Sequence, residues 1–151
     1  MSEPANDMSL LDSTRYRVDW RRGECGVELC ALASYWDATP TERARVCNGA
    51  GPAWLLAWLP KPVRFVQWFA NHLWFLDCRE AFDIHDWDYL HLPLTVDGMN
   101  AANQRLADNL NRIILSQHAP AWLTWCRRRN ADRYVYLVRE WAYKAYFDRE
   151  G

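Results

Sequence analysis

No CxxC pair, no basic and apolar N-terminal leader and no unbroken apolar run of membrane-spanning length occurs in these 151 residues. Each absence removes a class of protein. The five cysteines, Cys25, Cys30, Cys47, Cys78 and Cys126, are odd in number and unpaired in spacing. Neither a disulfide framework nor a zinc ribbon is indicated, and free thiols in a reducing compartment are the expectation. The opening Met-Ser-Glu-Pro-Ala-Asn-Asp-Met is not a Sec signal peptide, so the protein is expected to be cytoplasmic as synthesised. The most apolar stretch, residues 54–76, is broken by Pro60, Lys61, Pro62, Arg64, Asn71 and His72, which excludes a transmembrane helix there. An excess of charge of one sign is also missing. The 18 basic and 19 acidic side chains nearly cancel, so no long-range field draws the chain to nucleic acid, which is not expected as a partner. The length is about that of one domain.

What the chain has in excess is aromatic residues, with 10 Trp, 7 Tyr and 5 Phe. Trp54, Trp58, Trp68 and Trp74 fall within one short segment. Residues 1–13 read as a flexible polar arm, and residues 14–151 as a single domain. Thr14–Trp36 mixes charged and apolar residues and carries no assignable pattern. Beyond it the signals are helical. Thr39-Pro40 offers an N-cap and a first-turn proline for a helix that runs to Val46 and stops at Asn48-Gly49-Ala50-Gly51-Pro52. Residues 52–59 and 62–74 read as helices opened by prolines. Asp77-Cys78-Arg79-Glu80 has the form of a capping box for a helix from Cys78 to His91. Asp97-Gly98 caps the next, whose apolar stripe is Ala101, Leu106, Leu110, Ile113 and Ile114, through Gln117. Residues 122–147 are helical again. No convincing strand run appears, and the expected fold is all-α, a compact helical domain built on an antiparallel hairpin.

The segment Phe82-Asp83-Ile84-His85-Asp86-Trp87-Asp88-Tyr89 carries most of the chemistry. On a helix His85 and Tyr89 share a face, while Asp86 is turned about 100° away. If the first helix climbs from His85 to Leu92 and the second descends from Met99 to Asp108, the two positions differ in height by only about 3 Å. A His85–Asp108 contact is then feasible. Histidine is a suitable base for water, and a carboxylate on its other ring nitrogen would fix the tautomer and stabilise the imidazolium. Asp86 could hold a hard cation, with oxygens from the glycine loop completing the shell.

This arrangement resembles the phospholipase A2 superfamily, particularly its short bacterial, fungal and parvoviral branches. It also resembles small phage-encoded proteins with a C-N-G-x-G-P loop, an H-D-W-x-Y helix and a basic-aromatic C-terminal helix, over residues 47–148. The resemblance implies calcium held by Asp86 and by the backbone carbonyls of Cys47, Gly49 and Gly51. It implies His85 as base, Asp108 as the aspartate that orients it and Tyr89 as support. It implies a phospholipid or membrane surface as partner and carboxylic ester hydrolysis as the reaction. Trp54, Trp58 and Trp87 are the candidates for substrate contact. Cys47 stands where the family usually has an aromatic residue, and 34 residues separate Gly51 from His85, an insertion that contains the tryptophan cluster.

Plainer readings stand beside these. Aromatics at helical spacing are usually core; Asp83, Asp88, His91 and Asp97 suit a solvated face and caps better than a metal site. Arg127, Arg128 and Arg129, beside Trp122 and Trp125, form either a phosphate-contacting rim or a solvated helix end. Cys47 has no local support as a nucleophile, and no regular ligand spacing supports zinc. The alternative to an enzyme is a phage or prophage accessory protein, retained in the cell or carried with a phage particle, that uses the same scaffold to bind a protein or membrane partner.

Overall fold

The computed structural model describes residues 14–47, 72–73 and 76–147. A short 3-10 turn at Thr14–Tyr16 leads into an antiparallel hairpin of β1 (Val18–Arg22) and β2 (Glu28–Leu32). Two helices follow, α1 (Ala33–Asp37) and α2 (Pro40–Val46). A two-residue ladder, β3 (His72–Leu73) with β4 (Leu76–Asp77), precedes the long helices α3 (Arg79–His91), α4 (Val96–Ser116) and α5 (Ala121–Phe147). The fold is therefore mostly helical but mixed, not all-α as expected from sequence, because Thr14–Trp36 supplies a paired hairpin. The glycine loop beyond Cys47, the helix expected over 52–59 and the N-terminal arm lie outside the described residues, as does most of the helix expected over 62–74, whose His72 and Leu73 form β3 instead.

The hairpin forms around one carboxylate. Glu80, at the start of α3, accepts hydrogen bonds from the backbone N–H groups of Glu24 and Cys25, both at 2.9 Å. These donors belong to the turn that joins β1 to β2, which closes through Gly23 N–H to Val27 O at 2.9 Å. A Cβ at Gly23 would stand 2.3 Å from a carboxylate oxygen of Glu80, so a larger residue there would have to push that carboxylate off the turn. Gly26 adopts φ +78°, a conformation that favours glycine. The capping box expected between Asp77 and Glu80 is thus not made. Asp77 Oδ1 accepts from Arg79 N–H at 2.9 Å, while Glu80 is taken by the hairpin turn.

β2 lies in the centre of the molecule, with Leu29, Cys30, Ala31 and Leu32 all buried. β1 pairs with one edge of it, in the register Trp20 opposite Cys30. The other edge meets α4. There Asn109, fully buried, donates its Nδ2 to the Cys30 carbonyl at 2.8 Å and accepts from the Cys30 N–H at 2.9 Å. One side-chain amide does the work of a strand, satisfying two polar groups that burial would otherwise leave unpaired.

α4 buries Ala102, Leu106, Leu110, Ile113 and Ile114 along one stripe, each large aliphatic side chain contributing about 1.5–3 kcal/mol. Its N-cap is Thr95, whose Oγ1 accepts from Gly98 N–H at 3.0 Å, two residues before the cap expected at Asp97. α3 is different: Ala81, Phe82, Ile84, His85, Trp87 and Asp88 are all buried, so it is covered on several sides rather than along one stripe. α5 closes over α3 through Tyr134, whose ring meets Phe82 edge-on at 4.8 Å. Arg105 of α4 pairs with the fully buried Asp88 of α3. Burial offsets much of what such a pair contributes to stability, and it pushes the Asp88 carboxyl up to about 7 against the pull of the guanidinium.

Three stability outcomes follow from these placements. Asn109→Ala leaves the Cys30 N–H and C=O buried and unpaired and is expected to cost about 2–5 kcal/mol in urea unfolding. Asp108→Ala, one residue away but exposed, is expected to change stability by less than about 0.5 kcal/mol. Glu80→Ala removes the hairpin turn's two charge-assisted bonds and is expected to cost about 2–4 kcal/mol, with amide exchange of Glu24 and Cys25 accelerated as its local signature.

Candidate functional site

The site is built by the antiparallel pair α3 and α4. His85 and Tyr89, one turn apart on α3, lie ring against ring with centroids 4.1 Å apart. Between them and α4 sits Asn103, fully buried. Its Oδ1 accepts from His85 Nε2 at 2.9 Å and from Tyr89 OH at 2.8 Å. An amide oxygen can only accept, so in this orientation Nε2 carries the proton and the lone pair of the neutral imidazole is on Nδ1. The Asn103 Nδ2, also buried, has no hydrogen-bond partner among the described residues.

Asp108 does not reach this cluster. The expected meeting assumed that α4 begins near Met99, but it begins at Val96. His85 is six residues before the end of α3 at His91, and Asn103 is seven past the start of α4. The two are level to within about 1.5 Å, whereas Asp108, twelve residues into α4, lies about 9 Å farther along. It is also rotated about 140° from Asn103. Asp108 is exposed and bonds its own helix neighbour, accepting from Gln104 Nε2 at 3.0 Å. The sequence held the signal for Asn103: of the positions three and four residues away from it, Met99, Leu106 and Ala107 are apolar and Asn100 is polar, while those around Asp108, namely Gln104, Arg105, Asn111 and Arg112, are all polar. Only the first set is a mainly apolar environment.

The electrostatics follow from burial. His85 is 7% exposed, and burial pushes its imidazole down to about 4, opposed by the bond to Asn103. With a neutral amide as its partner, no negative charge is in place to hold a proton on the ring.

Asp86 is half-buried on the adjoining side of α3. Its field reaches Cys47, whose thiol is pushed up to about 12 by burial and then by Asp83 and Asp86, and Tyr134, which burial and Asp86 also push up. Cys47 donates its thiol to the Asp83 carbonyl at 3.2 Å. The first residue of the glycine segment is therefore packed against α3 one turn from Asp86, despite the residues inserted between them in sequence. Such a protonated thiol is no nucleophile. Gly49 and Gly51, expected as further calcium ligands, lie outside the described residues, as do Trp54 and Trp58. Among the described residues no group of three or more His, Cys, Asp or Glu side chains is placed to hold a metal ion. Among the described residues, a hard cation beside Asp86 would draw its remaining oxygens from backbone carbonyls.

Trp87 is not placed for substrate contact at His85. Two residues on, it turns about 200° to the other side of α3. There its Nε1 donates to Ser34 Oγ at 3.1 Å, and its ring packs edge-on against Tyr35 and stacks on His91. Among the described residues no helix is long and apolar enough to cross a membrane. The chain matches no known family model, no curated protein and no solved structure.

The state of His85 is directly measurable. Its ring resonances are expected to titrate with a midpoint near 4. In Asn103→Asp, where a carboxylate faces Nε2, the midpoint is expected to rise by at least one to two units. An unchanged midpoint in that variant would show that residue 103 does not govern the ring.

Proposed function

We propose that this protein is an ester hydrolase of the phospholipase A2 type, with neutral His85 as the base that activates water. The single observation that carries the reading is the bond of His85 Nε2 and Tyr89 OH to one acceptor, Asn103 Oδ1. It ties down one ring nitrogen and leaves the other with a lone pair, the tautomer a general base requires.

Asn103 takes the role expected of Asp108. It is a positioning residue with the shape of a carboxylate and none of its charge. It can orient the imidazole, but it cannot stabilise the imidazolium that forms when His85 takes a proton from water. In the serine protease template the change from aspartate to asparagine lowers turnover about 10⁴-fold, there chiefly through the wrong tautomer. Here the tautomer is retained, so the loss is the electrostatic part alone. The protein is accordingly a slow enzyme, with a base that is unprotonated at neutral pH but weak.

Asp86 and the carbonyls of Cys47, Gly49 and Gly51 are the proposed calcium ligands. The metal, when bound, would polarise the ester carbonyl and take up charge on its oxygen. The approach of Cys47 to α3 supports this grouping. The neutral acceptor and the low basicity of His85 equally favour a second reading, a phage or prophage accessory protein that has kept the scaffold without the turnover.

Fatty-acid release from phospholipid vesicles, with calcium and with chelator, separates them. The wild type is expected to be slow and calcium-dependent, and His85→Ala and Asp86→Ala to fall to background. Asn103→Asp is expected to be faster by about 10²-fold or more, since it supplies the missing charge, and Asp108→Ala to be unchanged within twofold. Wild type and His85→Ala at the same background, together with a silent Asn103→Asp, would leave the accessory reading. The pH profile has a definite sign. Protonation removes the base, so the wild-type rate falls as pH drops through about 4, and the acid limb in Asn103→Asp moves to higher pH.

A further inference from the structure

The two edges of the hairpin are finished differently. In an antiparallel ladder the backbone N–H and C=O of one residue point to the partner strand, and those of the next point away. Arg17 and Ala33 form a bonded pair, with Ala33 N–H reaching Arg17 O at 2.8 Å, and Gly23 and Val27 form another at the turn. By that alternation Asp19 and Arg21 turn their backbone groups to β2, while Val18, Trp20 and Arg22 turn theirs outward. Cys30, opposite Trp20, likewise faces away from β1, and there Asn109 takes both of its groups. One edge of the sheet is thus capped by a side-chain amide. At the other, among the described residues, no strand lies beside β1 and no donor or acceptor meets the backbone of Val18, Trp20 or Arg22. Val18 is 42% and Trp20 47% exposed. Arg112 of α4 lies over the Trp20 ring, 4.1 Å from its centroid, and braces it at this edge.

We propose that the outer edge of β1 pairs with the same edge of a second copy of this chain, antiparallel, across a two-fold axis at Trp20. The order of charges along the strand selects this occupant. Backbone matching requires outward residues to stand opposite outward residues. With Trp20 opposite Trp20 of the second copy, Asp19 stands opposite Arg21 and Arg21 opposite Asp19, so an ion pair forms on each side of the axis. Moving the axis to Asp19 sets Asp19 against Asp19 and Arg21 against Arg17. Moving it to Arg21 sets Arg21 against Arg21. The strand Val-Asp-Trp-Arg-Arg is therefore complementary to itself in one register and repelled in the registers on either side. The assembly also closes. Two hairpins joined in this way give a sheet in the order β2-β1-β1-β2, whose outer edges are both held by Asn109 and leave nothing for a third copy. An unrelated extended peptide would find the same backbone groups but would have no fixed answer to Asp19 and Arg21. Five residues of edge make a small interface, so the dimer is weak and concentration-dependent.

Nothing in this pairing rests on the hydrolase reading, and its test involves neither catalysis nor His85. Sedimentation of the full chain over about 10 μM to 1 mM is expected to show a monomer that passes to a dimer and stops there. Asp19→Arg alone and Arg21→Asp alone each place like charges opposite one another on both sides of the axis, and each is expected to weaken self-association at least about tenfold. Mixed one to one, the two variants again present opposite charges at both places and are expected to associate within about threefold of wild type. Mixing would not repair a defect of folding. Amide exchange in the wild type supplies a second measurement. The N–H groups of Trp20 and Arg22 are expected to slow as concentration rises, while those of Asp19 and Arg21, which face β2, are expected to be indifferent to it. Wild-type exchange that ignores concentration overturns the proposal independently of any variant. So do a monomer at every concentration, single variants that associate like wild type, and a mixture that stays monomeric. Association that continues past the dimer overturns it as well, as does a dimer abolished by Trp122→Ala with Trp125→Ala, which would put the contact on α5.

Discussion

Two buried asparagines on one helix hold the described part of the molecule in register. Asn103 and Asn109 are both fully buried on the inner side of α4, where an amide without partners costs several kcal/mol. Asn109 is satisfied only if the edge of β2 lies beside α4, and the Asn103 Oδ1 meets its two donors only if His85 and Tyr89 of α3 lie opposite. Rotating α4 by one residue would strand both amides and turn Leu106 and Leu110 from the core. The aliphatic stripe supplies the driving force; the amides select one rotation and one height.

The same constraint sets the chemistry. α3 is enclosed by the hairpin, α4 and α5, so Glu80, His85 and Asp88 lose nearly all contact with water and Asp83 loses part of it. Burial pushes Asp83 up to about 6 and Asp88 up to about 7, and it pushes His85 down to about 4. In each case the neutral form gains. Where a carboxylate would compensate a buried imidazolium, Asn103 places an acceptor of equal shape without charge. The ring is thus positioned by a neutral acceptor, and burial is left to set its charge.

The helices were legible because their boundaries are local. Thr39-Pro40, Pro93 and Pro120 act on the backbone within a few residues, and α2, α3, α4 and α5 lie close to where those signals put them. The hairpin was not legible. β2 is buried on both faces, so Leu29–Leu32 shows no alternation, and β1 is exposed at four of its five positions and shows none either. What makes them strands is pairing and the amide of Asn109, seventy-nine residues away. Glu80 misled for a related reason. Its spacing from Asp77 suits a local cap, but two backbone N–H groups of a distant turn offered its carboxylate more.

The shared face of His85 and Tyr89, with Asp86 on the adjoining side, was legible from a short motif because a helix converts spacing into faces without any help from the rest of the chain. The partner of His85 was not, since the choice between Asn103 and Asp108 depended on the three residues by which α4 starts early. Chemistry pointed to the carboxylate, and packing selected the amide. Sequence alone thus determined which residue types were on offer and which helical faces they occupied, because those depend on neighbours within a turn. Tertiary structure decided which of them meet, because height and rotation between helices are set by burying the whole stripe at once.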